Sequence, residues 1–162
     1  MITKLDHIGV MAHFWEEASS NFTGILGFPI DESRSPLPEG SYMAAENVRI
    51  YFFRIGNGET LVEVLIPLDK LSGTAKLLAR RGPGLHHMGY ASDNWQEDAR
   101  RLRALGLKQI DLTHGKPELV GQPQGAAFFH PKSAMGILTE LVPHISNPWE
   151  VPSTSSPPLR AV

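Results

Sequence analysis

Four side chains that can ligate a metal recur at matching places in the two halves of the sequence. His7 and His87 stand in the related stretches DHIGV and HHMGY, 80 residues apart. Glu63 follows the first histidine by 56 residues, and Glu140 follows the second by 53. Each glutamate interrupts a strongly apolar stretch, where a carboxylate is costly unless it is paired, solvated or bound to a cation. The pattern predicts one polar site built by two repeated modules.

The chemistry of this set indicates a metal centre. If the strands of both modules form one curved sheet, His7, Glu63, His87 and Glu140 can converge inside it. Two neutral imidazoles and two carboxylates favour Co, Ni, Mn, Fe or Zn over Ca, and six-coordination leaves two positions for water or substrate. We therefore predict a divalent metal ion held by these four residues.

Strand alternation decides which neighbours of these ligands are expected to join them. Successive side chains of a strand point to opposite faces, so Asp6 is expected to face away from His7, and His86 away from His87. His86 is therefore not predicted as a ligand. The remaining histidines have no counterpart in the other half and are predicted to lie at the surface or in packing positions: His13, His114, His130 and His144.

The elements that must position the site also repeat. Apolar residues at three- and four-residue steps predict helices, and short β-rich runs bounded by glycine and proline predict strands. Each half reads strand, helix, three strands, which predicts an α+β fold of two βαβββ modules. The predicted strands are 4–10, 28–30, 48–55 and 59–66, then 85–91, 107–110, 125–130 and 136–142, and the predicted helices are 14–26, 72–81 and 94–105.

Composition excludes several classes of protein. A net charge of −2 and the lack of a basic tract argue against a nucleic-acid partner. No apolar run approaches the length that spans a bilayer, and the first residues lack the apolar core of a secretory signal, so no membrane partner is expected and the predicted location is cytoplasmic. Cysteine is absent, which excludes disulfides and thiolate ligands. Residues 146–162 form a Pro/Ser-rich tail that cannot build a core of its own.

Four motifs carry a resemblance to a known group. DHIGV (6–10), NFTGILGF (21–28), GLHHMGY (84–90) and HPKSAMGILTEL (130–141) resemble the vicinal oxygen chelate superfamily of glyoxalases, bleomycin-resistance proteins and dioxygenases. Within the superfamily, GLHHM together with HPKxxxGxLxEL is most similar to the methylmalonyl-CoA epimerases. The resemblance covers roughly residues 4 to 143.

The resemblance implies a fold and an activity. It implies one domain, residues 1–145, in which modules at about 4–68 and 84–145 form a cup-shaped mixed sheet with helices outside, and it implies a homodimer. It also implies that the metal on His7, Glu63, His87 and Glu140 assists proton abstraction next to a carbonyl of a small-molecule substrate, for which an acyl-CoA is the leading candidate. Glu140 is then a catalytic acid or base.

The second acid or base stays open between two residues. Some epimerases carry a glutamate in the strand before that of Glu63, and the alignment here is ambiguous between Glu46 and Arg49. If Val48, Ile50 and Phe52 pack against the helices, then Arg49 faces the cup as an anion binder.

Three alternative functions also stay open. The His-Glu-His-Glu set is the glyoxalase I pattern as well, which suits a lactoylglutathione lyase. An Fe(II) dioxygenase needs only two histidines and one carboxylate. A metal-free small-molecule binding or resistance protein is the alternative outside enzymes.

Overall fold

The computed structural model of the protein describes residues 1–112 and 125–144. The predictions made for His114 and for the tail 146–162 lie outside the described residues. The elements are, in chain order, β1 (Ile2–Met11), α1 (Trp15–Ser19), β2 (Ser41–Met43), β3 (Val48–Arg54), β4 (Leu61–Pro67), α2 (Gly73–Arg81), β5 (Gly84–Ser92), α3 (Trp95–Ala104), β6 (Ala127–Phe129) and β7 (Thr139–Pro143).

The seven strands form one curled, half-barrel sheet in the order β2-β3-β4-β1-β5-β7-β6. β1 and β5 run antiparallel at the centre. Each has a parallel partner on its outer side, β4 for β1 and β7 for β5. Antiparallel β3 and β6 then flank those partners. The two halves thus repeat one arrangement about the central pair, which confirms the predicted α+β class of duplicated modules.

Two predicted strands are reduced to isolated bridges. The run at 28–30 contributes only the bridge of Ile30 to Phe53, and the run at 107–110 only the bridge of Gln109 to Phe129. In the first case the chain turns away at once, because the carbonyl of Asp31 accepts from the backbone N–H of Ser35. These two bridges occupy matching places in the two modules, so even the shortened elements follow the repeat.

The helices begin and end close to their predicted bounds. α1 continues as a wider π-helical segment, Ser20–Ile25, and the chain leaves it at Gly27 with a positive φ of 71°. Only glycine adopts that backbone conformation without strain. α3 is capped by Asn94, whose side chain accepts from the backbone N–H of Glu97. No helix in the described ranges is long and apolar enough to cross a membrane.

Two apolar clusters lie on the face of the sheet that packs against α1 and α3. Tyr51 and Phe53 pack against Trp15 of α1, with ring centroids 4.4 Å and 5.9 Å from the indole. In the second module, Phe129 and Leu141 pack with Ala99 of α3. By strand alternation, the residue between Tyr51 and Phe53 and the residue before Phe129 must point to the opposite, concave side.

This alternation corrects one predicted orientation. Phe52 lies opposite Glu63 in the β3–β4 ladder and faces the concave side, so Phe52 does not pack against the helices. Arg49, three positions earlier, lies on the other face, where its guanidinium approaches the backbone oxygen of Glu39 at 3.4 Å. The expectation that Arg49 faces the cup was wrong. The run VRIYFFRI is apolar on both faces, so its sequence does not tell which face is inward.

Candidate metal centre

The four predicted ligands meet at one buried point. Their donor atoms all lie within 4.8 Å of one another. His7 Nε2 lies 2.9 Å from His87 Nε2 and 2.8 Å from Glu140 Oε2. His87 Nε2 lies 3.0 Å from an oxygen of each glutamate, Glu63 and Glu140. The structure therefore brings together every residue of the predicted N2O2 set, two of them from each module.

The sheet register explains this convergence. Gly9 lies opposite His87 in the antiparallel β1–β5 ladder and opposite Glu63 in the parallel β1–β4 ladder. Gly89 stands in the same relation to His7 and Glu140. Directly opposed residues share a face of the sheet, so all four ligands point to the concave side.

Gly9 and Gly89, which lie opposite the ligands on the neighbouring strands, are functional residues that were not predicted. A Cβ at Gly9 would overlap the imidazole of His87, and a Cβ at Gly89 would overlap that of His7. Each ring lies flat across the backbone of the neighbouring strand, where only glycine leaves room. The signal was present in the sequence, because both stretches read His, any residue, Gly.

A bulge beside each histidine brings a further residue into contact with its ring. The ladder skips Asp6 in β1 and His86 in β5. Asp6 Oδ2 lies 3.0 Å from His7 Nδ1, and His86 Nδ1 lies 2.8 Å from His87 Nδ1. The prediction that Asp6 and His86 face away from their neighbours was therefore wrong, since strict alternation fails where an unpaired residue is inserted.

These outer contacts orient both rings. A histidine ligand characteristically donates its second ring N–H to a nearby acceptor, which fixes the tautomer and leaves the other nitrogen free for the metal. Asp6 fills this role for His7, and His86 occupies the equivalent place for His87. Arg34 extends the first of these contacts, because its Nη1 lies 3.5 Å from Asp6 Oδ2. Although burial raises it, the hydrogen bond from His7 and the charge of Arg34 lower the pKa of Asp6.

The electrostatics of the cluster favour positive charge at its centre. Burial lowers the pKa of His87, but its contacts with Glu140 and Glu63 raise the pKa to about 9. For His7 too, burial lowers the pKa, and Glu63, Asp6 and Glu140 together raise it well above the usual value. Burial raises the pKa of Glu140, yet hydrogen bonds with the two histidines hold it below its ordinary value.

This donor set fits a divalent metal. With Nδ1 of each histidine turned outward, both Nε2 atoms and the carboxylate oxygens face one another, an arrangement that is stabilised by positive charge between them, supplied by protons or by a metal cation. All four residues are buried, so water cannot supply that compensation freely. Nitrogen and oxygen donors in this number suit Co, Ni, Mn, Fe or Zn.

Aromatic rings and a pocket surround the cluster. Phe52 stands edge-on to His7 with ring centroids 6.1 Å apart, and Phe128 stands edge-on to His87 at 5.6 Å. A pocket of about 620 Å³ reaches His87 from the concave side. Its wall combines apolar side chains with polar ones, among them Leu65, Phe128, Leu138, Glu46, His86 and His130.

Comparison with known proteins assigns the fold family. The sequence pattern described as "Glyoxalase/Bleomycin resistance protein/Dioxygenase superfamily" matches residues 6–128. The chain belongs to this superfamily. It is also 31% identical to the mitochondrial methylmalonyl-CoA epimerase of Mus musculus over 144 residues, which cover 85% of this chain and 71% of that protein.

Solved structures of superfamily members share this architecture. The crystal structure of methylmalonyl-CoA epimerase from Mycobacterium tuberculosis aligns with a TM-score of 0.72 and 25% identity, over 90% of this chain and 91% of that one. A variant of the Streptomyces coelicolor methylmalonyl-CoA epimerase in complex with 2-nitronate-propionyl-CoA aligns with the same score at 24% identity, over 88% and 98% of the two chains. The second similarity concerns the fold alone.

Of the two residues considered for a second acid or base, only Glu46 lines the pocket of this superfamily member. Glu46 lies in the turn between β2 and β3, and its Oε2 accepts from the backbone N–H and from the hydroxyl of Thr74, at 3.1 Å and 3.2 Å. These two bonds fix the carboxylate at the first turn of α2. Arg49 is absent from the wall.

The other described histidines lie outside the metal centre. His13 is exposed and pairs with Glu17. The ring of His144 bonds to Thr3. These positions agree with the predicted surface or packing roles. His130 differs in one respect, because it lines the pocket while its ring accepts from the backbone N–H of Lys132.

Proposed function

We propose that this protein is a divalent-metal-dependent epimerase of an acyl-CoA, with methylmalonyl-CoA as the first substrate to test. The observation that carries the proposal is a buried His-Glu-His-Glu cluster beside a pocket that also holds a second fixed carboxylate, Glu46. The 31% identity to a methylmalonyl-CoA epimerase supports the choice of substrate.

In this proposal His7, Glu63, His87 and Glu140 hold the metal. A bound divalent cation supplies positive charge that stabilises an enolate oxygen as it develops on the substrate. Asp6 and His86 orient the two imidazoles, so the ligand geometry is set before substrate arrives. The buried walls formed by Phe52 and Phe128 exclude water and strengthen every charge interaction at the centre.

Epimerisation needs one group to remove the α-proton and another to return a proton on the opposite face. We assign these roles to Glu140 and Glu46. A carboxylate accepts the proton on one oxygen, and the partner carboxylic acid then donates its own proton to the α-carbon. Thr74 supports this task by holding Glu46 Oε2 in one position at the pocket wall.

Proton exchange in deuterated water tests the proposal directly. Wild-type protein supplied with Co²⁺ should exchange the α-proton of methylmalonyl-CoA and interconvert its epimers. If Glu46 and Glu140 act as a pair, each Gln variant should lose epimerisation, and Glu46→Gln should retain α-proton exchange from one epimer only. Glu32→Gln changes an exposed carboxylate elsewhere in the chain and serves as the matched control.

The outcomes separate two failures. If wild-type protein with confirmed metal content shows no exchange, the epimerase proposal is wrong. If Glu46→Gln epimerises as fast as Glu32→Gln, the epimerase proposal stands but the role of Glu46 does not. Metal analysis of the Glu140→Gln protein is required, because that residue is also a proposed ligand.

The ligand set also suits a lactoylglutathione lyase of the glyoxalase I type. Turnover of the methylglyoxal–glutathione adduct with Ni²⁺ or Zn²⁺, without exchange on methylmalonyl-CoA, would favour that function. Oxygen consumption with Fe(II) would favour a dioxygenase. A protein that neither retains nor responds to Co²⁺, Ni²⁺ or Mn²⁺ would favour metal-free binding.

We further propose that residues 1–145 act as one domain and that the protein forms a homodimer. Both follow from its place among the epimerase-like members of the superfamily. Light scattering coupled to size-exclusion chromatography measures the mass in solution, and a monomeric mass at micromolar concentration contradicts the dimer.

A further inference from the structure

Three cations on α2 stand at the pocket that leads to the metal centre. Lys76, Arg80 and Arg81 are exposed and contribute to the pocket wall. Within residues 1–112 and 125–144, no hydrogen bond or ion pair engages their side chains. An unneutralised group of three positive charges at the mouth of a substrate pocket attracts an anionic ligand.

The amphipathic pattern of α2 turns these cations toward the pocket. Thr74, Ala75 and Leu78 form the buried face of the helix, whereas the three cations are exposed. Lys76 and Arg80 are four residues apart and therefore neighbours on the helix surface. Like charges at this spacing repel each other and destabilise an isolated helix, whereas a bound anion would relieve the repulsion.

The acidic residue of this wall, Glu46, accepts hydrogen bonds from the backbone N–H and the hydroxyl of Thr74 at the start of α2. The positive region extends outward, because Lys76 and Arg80 also line a second, more open concavity, where together with Lys70 they outnumber its carboxylate, Asp69. Positive charge therefore follows the helix away from the metal centre and out toward solvent.

The wall that carries these cations also carries apolar side chains and one histidine of the metal centre. Leu65, Phe128 and Leu138 are among the apolar residues, and the histidine is His87. A ligand that fills this pocket has a polar reacting end, an extended middle and an anionic outer end. An acyl-CoA has this distribution, since its thioester and its phosphate groups stand at opposite ends of the pantetheine arm.

We propose that Lys76, Arg80 and Arg81 bind the phosphate groups of the acyl-CoA. This inference rests on the proposed function for the identity of the substrate. It makes α2 a specificity element that selects CoA thioesters over free acids and over thioesters of shorter, uncharged thiols. Arginine and lysine side chains at the mouth supply charge-assisted hydrogen bonds to phosphate oxygens.

The test compares two thioesters that differ only in their phosphate-bearing part. Methylmalonyl-CoA and methylmalonyl-pantetheine present the same reacting end. In the variant K76Q/R80Q/R81Q, kcat/KM for the CoA thioester should fall by about tenfold or more, mainly through KM, and kcat/KM for the pantetheine thioester should stay within about twofold. Arg100→Gln removes one exposed cation of α3 outside the pocket and should leave kcat/KM for both thioesters at the wild-type value. Arg80→Gln alone should already lower kcat/KM more for the CoA thioester than for the pantetheine thioester.

Binding without turnover keeps this test separate from that of the reaction. Calorimetry should detect binding of free CoA to wild-type protein and its loss in the triple variant, whether or not either thioester is turned over. Equal effects of the triple variant on the two thioesters, or unchanged CoA binding, would overturn the inference. If the triple variant does not fold, the wild-type KM for the CoA thioester should still rise with salt more steeply than that for the pantetheine thioester, and parallel salt dependences would also overturn it.

Discussion

Gly89 lies directly opposite His7 across the two central strands, and the imidazole ring of His7 lies over the glycine backbone. The same relation joins Gly9 and His87. The centre of the sheet is therefore a pair of adjacent antiparallel strands, on which each histidine ring occupies the space that a side chain on the other strand would need. The close contact between each glycine backbone and the histidine ring opposite it therefore also sets the direction in which that ring presents its metal-binding nitrogen.

Adding one methyl group at Gly89 should displace the metal ligand His7. In Gly89→Ala the new Cβ meets the His7 ring, so the ring must tilt away from Glu140 or the strands must separate. We expect Co²⁺ affinity to fall by at least about tenfold and the free energy of unfolding to fall by about 1–3 kcal/mol. Titration calorimetry and chemical denaturation measure the two effects. Gly125→Ala has open space around the added Cβ and should change neither, and a Gly89→Ala protein with wild-type affinity would refute the steric role.

The carboxylate behind His7 should strengthen metal binding without touching the metal. Asp6→Asn keeps the shape of the side chain but removes the charge that His7 Nδ1 and Arg34 contact. Loss of such an outer contact typically costs about 10- to 100-fold in metal affinity. Glu59→Gln is the matched control, since it removes an exposed carboxylate paired to Lys4 of the same strand. Equal affinities in Asp6→Asn and Glu59→Gln would remove Asp6 from the site.

Metal loading should stabilise the fold, because the four ligands come from β1, β4, β5 and β7 and are assembled only in the folded state. A metal at 100 times its Kd contributes about 2.7 kcal/mol. We expect chelation to lower the Tm of the loaded protein and Co²⁺ to restore it. Glu63→Gln and Glu140→Gln should each abolish most of this shift, and Glu16→Gln, an exposed change on α1, should preserve it. A wild-type Tm that does not respond to chelator or metal contradicts the centre.

Asp98 lies on α3, outside the metal centre, and its contribution to the free energy of unfolding should depend on pH. The hydrogen bond from Ser92, aided by Arg101 and opposed by burial, lowers the pKa of Asp98 to about 2. A carboxylate whose pKa is depressed by folding stabilises the native state above its unfolded pKa, near 3.9, and loses that contribution as pH falls toward the folded value. Wild type should therefore exceed Asp98→Asn in stability at pH 6, and the difference should shrink between about pH 4 and pH 2. Denaturation curves at several pH values measure it, and a difference that is constant with pH would contradict this assignment.

The sequence by itself determined the repeat, the class of fold and the four residues that converge. These features follow from local rules. Strand and helix periodicities depend on residues close in sequence, and a duplicated module repeats its polar residues at matching positions. A carboxylate inside an apolar strand is also visible without coordinates. His7 and Glu63 could thus be paired with His87 and Glu140 before any contact was known.

Tertiary structure alone decided the surroundings of those ligands. The bulges that turn Asp6 and His86 toward the rings depend on how β1 pairs with β5, and no local pattern marks an inserted residue. The inward face of β3 was undetermined because Ile50 and Phe52 are as apolar as Tyr51 and Phe53, so only packing against α1 settled it. Gly9 and Gly89 became meaningful only once a ring was placed across each of them. Local periodicity specifies which elements form, whereas register and close approach specify which side chains meet.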